Sequence, residues 1–273
     1  MRVALHSGVL GHDEEKFIQY ARDLDVSDVV LSHRNELSAE QAERRVARMS
    51  AAGLRVAAWG LTWLSPAALE GGAEAQVLRE KLVSEIRILG EVGVPVVYTF
   101  TMVAAAEEPA ERERQWGNLV EFYKPLVAAA EEAQVNFCTH AGWTPNRILH
   151  NCETVLRLLD EVPSERHGVC LCVGCYHGAG DDVPQVVRRF GRKIFFAHAR
   201  DARGVGPECP SIHLGQGTVP WLEVIRALRE VGYEGVIQPE HLGKVSAQEH
   251  EEISQAMAVG YLKALISVVE GER

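Results

Sequence analysis

The chain has 273 residues, 47% of them hydrophobic and 24% charged, and carries a formal net charge of −10. It is long enough for one large α/β barrel or two small domains, and too apolar for a disordered chain. The acidic balance and the lack of a Lys/Arg cluster argue against nucleic acid as a partner, because a duplex-binding surface needs clustered cations to displace counterions.

The first residues, Met-Arg-Val-Ala-Leu-His-Ser-Gly, read as a strand and a turn rather than a basic patch ahead of a long apolar run. No signal peptide and no run long enough to span a bilayer are expected, so the expected location is cytoplasmic, with no membrane partner. From there, short β-branched runs alternate with long amphipathic stretches. The expected strands are Arg2–His6, Asp28–Ser32, Arg55–Leu61, Pro95–Phe100, Val135–His140, Gly168–Val173, Lys193–His198 and Gly235–Glu240. Helical patterns between them include Ala39–Ala52, Ala75–Val92, Glu111–Ala133 and Val219–Val231. In the last of these, Leu222, Ile225 and Leu228 recur at helical spacing, with Glu223, Arg226 and Arg229 opposite. Gly53, Gly93 and Gly232 fall at helix ends shortly before strands, as helix termination requires.

Eight strands, each followed by a helix, predict an α/β fold of the (β/α)₈ TIM-barrel type, as one domain over residues 1–273. The structural rival is a doubly wound open sheet, which often carries a Gly-rich phosphate loop after its first strand. Here that strand runs into Gly8-Val9-Leu10-Gly11-His12, which has the wrong spacing.

Active sites of such barrels lie at the carboxyl ends of the strands. The fifth strand ends in Cys138-Thr139-His140, the sixth in Cys170-Leu171-Cys172-Val173-Gly174, the seventh in His198-Ala199-Arg200 and the eighth in Gln238-Pro239-Glu240-His241. Side chains alternate faces along a strand, so His140, Cys172, His198 and Glu240 can point together into the barrel mouth. Singly, each has an ordinary reading, as a hydrogen-bonded histidine, a buried thiol or a solvated acid. Together, two imidazoles, a thiolate and a carboxylate on consecutive strands form a candidate four-ligand site for one divalent metal, with Zn²⁺ or Fe²⁺ suited as well as Mn²⁺. His241, directly after Glu240, is a candidate general acid or base; its alternative is a surface loop histidine. Arg200 shares a face with His198 and can clamp a substrate carboxylate, or else pair with Asp201 or Asp181.

Six cysteines, at 138, 152, 170, 172, 175 and 209, suit buried thiols or ligands better than disulfides, because three of them crowd one strand. Cys172 and Cys175 form a lone CxxC without the second pair a zinc ribbon needs, so Cys175 and His177 are expected in a loop near the site. His6, His33, Trp59, Trp63 and Trp143 are aromatics that either line the mouth or belong to the core.

Several segments then resemble one family. Val97-Tyr98-Thr99-Phe100-Thr101-Met102-Val103 is similar to the Tyr-Asn-Phe-Met-Pro-Val stretch of mannonate dehydratases. Leu171–Gly174 resembles their Cys-x-Gly turn, His198–Asp201 their His-x-Arg-Asn segment, Gln238–His241 their Arg-Pro-Asp-His, and Ala258–Leu265 their final helix. The resemblance runs from the fourth strand to the end, within the xylose isomerase-like TIM-barrel superfamily of sugar isomerases, epimerases and endonuclease IV.

It implies that His140, Cys172, His198 and Glu240 hold Mn²⁺, with Zn²⁺, Fe²⁺, Co²⁺ or Mg²⁺ as alternatives, and that His241 transfers protons. It implies a hydro-lyase that removes water from a sugar acid through an enediolate. The alternatives are a sugar isomerase or epimerase on the same barrel, and a non-catalytic metal- and sugar-binding barrel. Endonuclease activity is disfavoured, because a basic face and ligands for a multi-metal cluster are missing. The departures fall on substrate recognition. Gln238 replaces Arg, Glu240 replaces Asp, and Leu242 to Gln255 carries no tyrosine, with Lys244 the nearest polar substitute. The expected partner is a small sugar or sugar acid. A homodimer is a common assembly for such enzymes, although no interface is legible.

Overall fold

Apolar runs that end in helix-breaking turns become the staves of a closed barrel. The computed structural model describes residues 1–9, 13–242 and 251–272. Its elements are β1 (Arg2–His6), α1 (Glu14–Asp23), β2 (Asp28–Ser32), α2 (Ala39–Ala51), β3 (Arg55–Gly60), α3 (Ala67–Glu70), α4 (Gly72–Glu91) and β4 (Val96–Thr101). They continue as α5 (Pro109–Glu132), β5 (Asn136–Ala141), α6 (Cys152–Glu161), β6 (His167–Cys172), α7 (Val173–Gly178), α8 (Val183–Phe190) and β7 (Ile194–Ala199). The last are β8 (Asp201–Ala202), β9 (Ser211–Ile212), α9 (Trp221–Glu230), β10 (Val236–Pro239) and α10 (Glu251–Gly271). Eight strands close in the order β1-β10-β7-β6-β5-β4-β3-β2, all parallel, while β8 and β9 form a small antiparallel hairpin above β7.

Local chemistry sets the element ends. Ser38 and Gln41 form a capping box at the start of α2, and Asp13 and Asp182 cap α1 and α8 by accepting from backbone amides. Gly53, Gly93 and Gly232 adopt φ values of 80°, 78° and 74°, the left-handed conformation that ends a helix without a Cβ penalty.

Two cores follow from strand alternation. The inner one stacks Ala4, Val30, Ala58, Tyr98, Cys138, Cys170, Phe196 and Val236 inside the barrel, and the larger outer one lies between sheet and helices. The inner core fills the lower barrel with side chains, so the next inward residue on each strand rises to the mouth.

Three expectations change. β6 ends at Cys172, and Val173–Gly178 turns immediately into α7, which places Cys175 and His177 on a helix instead of in a loop. α9 starts at Trp221 rather than Val219, because Pro220 disfavours the helical conformation in the residue before it. α10 is long and apolar enough to cross a membrane, against the expectation that no such run exists. Its Ala258, Val259, Leu262, Ile266 and Val269 are buried, and it packs on α9, β1 and β10, so its apolar face is explained by the barrel wall.

Candidate active site

The pleat of β5, β6, β7 and β10 aims alternate residues inward. Above the inner-core layer of Cys138, Cys170, Phe196 and Val236, the next inward residues are His140, Cys172, His198 and Gln238. Register aligns Cys172 with His198, and His198 with Gln238, while Glu240 follows just past the end of β10. The outcome is a cluster in which one donor atom each from His140, Cys172, His198 and Glu240 lies within 4.8 Å of all the others. His198 Nδ1 is 3.1 Å from Glu240 Oε2, His140 Nε2 is 3.8 Å from Oε1, and the Cys172 thiol donates to Oε1 at 3.2 Å.

Both histidines and Cys172 are at most 1% exposed. Among the described residues, neither His140 ring nitrogen nor His198 Nε2 has a hydrogen-bond partner. Buried imidazole nitrogens without partners are costly, and a shared cation would take one nitrogen from each ring.

The electrostatics point the same way. Burial drives the Cys172 thiol well above its ordinary range. Burial also opposes ionisation of Glu240, but His198 and His140 outweigh it and hold the carboxylate well below its usual range. A divalent ion placed among these donors would turn the thiol into a thiolate and compensate both charges. The donor set, two nitrogens, a sulfur and an oxygen, suits Mn²⁺, Fe²⁺, Co²⁺ or Zn²⁺.

Glu240 and His241 also line a cavity of about 590 Å³ that opens towards β1–β4. His241 is exposed and holds φ at +46°, in the left-handed region that few non-glycine residues occupy. On the opposite wall stand His6, His33 and Trp63. Trp63 is 61% exposed and packs on Phe100, with ring centroids 4.6 Å apart. Trp59 is fully buried and donates from Nε1 to His33 Nδ1 at 3.1 Å, so the ring proton of His33 sits on Nε2, 3.1 Å from Glu85 Oε1. Glu85 also accepts from the Thr62 amide and hydroxyl. A residue-by-residue reading of the strands missed Glu85. Its signal is an acid on the buried face of α4, flanked by Leu82, Ile86 and Leu89.

Arg200 departs from the substrate clamp expected of it. Its guanidinium stacks over Trp143 at 4.4 Å, donates to Ser211 Oγ and reaches Cys175 Sγ, and it is not part of the cavity wall. Nor do its expected acidic partners take it up. Asp201 accepts from the amides of Ala202, Gly215 and Gly217, and Asp181 accepts from that of Cys152. Gly174 permits this packing, since a Cβ there would sit 2.7 Å from Arg200 Cγ. Trp143 therefore serves as the floor under Arg200. Lys244 lies outside the described residues.

A closed (β/α)₈ barrel with a ligand-type cluster at the ends of its late strands defines a class, and comparison with known proteins agrees. The family model described as xylose isomerase-like TIM barrel matches residues 16–265, and the chain belongs to that family. Among curated relatives, mannonate dehydratase 2 of Halalkalibacterium halodurans is 30% identical over 193 residues, covering 63% of this chain and 56% of that protein. Mannonate dehydratase of Thermotoga neapolitana is 33% identical over 147 residues, 48% of this chain and 40% of that protein. The chain thus spans about half the length of the curated relatives it matches. The solved mannonate dehydratase of Streptococcus suis serotype 2 superposes with a TM-score of 0.85 over 98% of this chain and 93% of that one, at 20% identity, and shares the fold.

Proposed function

We propose that the chain is a metal-dependent hydro-lyase acting on a sugar acid, with His140, Cys172, His198 and Glu240 as the metal ligands. The observation that carries this reading is the convergence of four buried donor atoms within 4.8 Å of one another. The sequence relationship to mannonate dehydratases supports the choice of substrate class. A divalent ion held there supplies Lewis-acid stabilisation of negative charge on the substrate oxygens.

The chain's own residues do the rest. Dehydration removes a proton from the carbon next to the carboxylate-bearing end and expels the neighbouring hydroxyl as water, leaving a 2-keto-3-deoxy acid. His241 stands at the cavity rim beside Glu240, where its ring can move that proton. His33 is unsuited to the task, because Trp59 and Glu85 engage both of its nitrogens. Trp63 and Phe100 cover the far side of the mouth and limit water around the reacting carbons.

A second reading, an epimerase or isomerase using the same proton transfer, is favoured by one feature. Arg200 is turned away and Gln238 replaces the arginine of the resemblance, so among the described residues the guanidinium on this cavity is that of the exposed Arg34. Incubating Mn²⁺-loaded protein with D-mannonate and with D-allulose, and analysing the products, separates the two. A 2-keto-3-deoxy acid supports the lyase, and an epimerised ketose supports the second reading. His241→Asn is expected to lower kcat by about 100-fold at unchanged metal content; a fully active variant removes His241 from the chemistry.

A further inference from the structure

Two buried amides line the cavity and have no assigned work. Gln238 projects from β10 into the barrel, in register with His198, and is 4% exposed. Gln255 comes from the second turn of α10, the helix that closes the chain over the mouth, and is 5% exposed. Both belong to the same wall as Glu240 and His241. Among the described residues, neither Gln238 Oε1 nor Gln255 Oε1 has a hydrogen-bond partner.

Leaving a buried carbonyl acceptor unpaired is costly, and folded proteins rarely tolerate it without an occupant or a bound water. Two such groups, from different elements, on one cavity beside the cation-type cluster point to an occupant that brings hydrogen-bond donors. A hydroxyl matches a primary amide well, since each side can both give and accept a hydrogen. A phosphate or a carboxylate only accepts, so it could use the amide nitrogens but would leave both carbonyl oxygens without a donor, and a neutral amide does not compensate its charge. Among the described residues, the cations that line the cavity are Arg34 and Lys81; both are exposed, and Lys81 is 4.0 Å from Glu85. A carboxylate end of a substrate is compensated at the metal cluster, and the buried amides beside it are left to the hydroxyl groups.

We infer that Gln238 and Gln255 are specificity-determining residues that bind hydroxyl groups on the neutral tail of the substrate and discriminate against substrates phosphorylated or oxidised to a carboxylate at that tail. The inference rests on the proposed metal-dependent site. It is independent of whether the reaction there is elimination or epimerisation.

The test is calorimetric binding to Mn²⁺-loaded protein of four probes: D-mannonate, its 6-phosphate, the dicarboxylic acid of the same sugar, and D-allulose. The wild-type protein should bind D-mannonate or D-allulose at least about tenfold more tightly than either of the two tail-charged compounds. Gln238→Ala and Gln255→Ala should each lose about tenfold in that affinity, with metal content and thermal midpoint unchanged. Gln238→Arg should narrow the gap to the dicarboxylic acid. Equal binding of the tail-charged probes, unchanged affinity in both alanine variants, or binding of none of the four probes overturns the assignment and leaves the amides paired with water. Failure of the lyase reading looks different: D-mannonate then gives no product, while D-allulose binding still depends on both amides.

Discussion

His167 offers a test of how tightly the barrel seals its wall. It opens β6 at 1% exposure, with its ring packed against those of Tyr123 and Phe137, at centroid distances of 5.7 and 5.8 Å. Nδ1 is 2.8 Å from the Val162 carbonyl and must donate to it, which leaves Nε2 to accept from the Thr139 hydroxyl at 3.2 Å. Both nitrogens are thus satisfied in the neutral ring. Burial, with a smaller contribution from Lys193, lowers its pKa from 6.5 to about 4 despite the Val162 carbonyl.

The sign follows from proton counting. Below pH 6.5 the unfolded chain takes up a proton that the folded chain refuses, so stability is complete above that pH and is lost as pH falls towards 4. At about 1.4 kcal/mol per pH unit the full loss is about 3 kcal/mol, of which about 2 kcal/mol falls between pH 7 and pH 5. Urea unfolding of the wild type and of His167→Gln across that range measures it. The variant should start less stable at pH 7 and lose about 2 kcal/mol less on acidification. Parallel decline of the two proteins would falsify the neutral, sealed histidine.

Two further substitutions probe the mouth. His198→Ala should reduce metal content at fixed free metal by at least about tenfold while the circular dichroism spectrum keeps its barrel signature; wild-type metal content by elemental analysis would remove His198 from the ligand set. Gly217→Ala would place a Cβ 2.0 Å from Asp201 Oδ1 and 2.4 Å from the Ala202 carbonyl, forcing Asp201 off the amides it holds. It should cost about 1–3 kcal/mol in thermal or urea unfolding, and an unchanged midpoint would contradict that packing.

The barrel was legible because its signals are local and repeat. Apolar runs at β1 to β7 and glycines at positions 53, 93 and 232 each mark an element boundary without help from the rest of the chain. The juxtaposition of His140, Cys172, His198 and Glu240 was legible for the same reason: a parallel barrel turns position at a strand end into position in space. What escaped depends on contacts between elements. Arg200 shares a strand face with His198, yet the hairpin of β8 and β9 and the short helix α7 capture its guanidinium. Cys175 reads as a loop residue until the turn at Cys172 proves helical. Glu85 and Gln255 lie on helices whose meaning appears only when their buried faces are seen to meet the mouth. Alternation along a strand carries no information about such meetings.

The proposed metal site holds one cation among two imidazoles, a thiolate and a carboxylate. Titrating metal-free protein with Co²⁺ and recording its absorption spectrum tests this most directly, because sulfur bound to cobalt produces a charge-transfer band that nitrogen and oxygen ligands do not. The band should saturate at one equivalent in the wild type and disappear in Cys172→Ser. A band that persists in Cys172→Ser, or no stoichiometric uptake by the wild type, would contradict it.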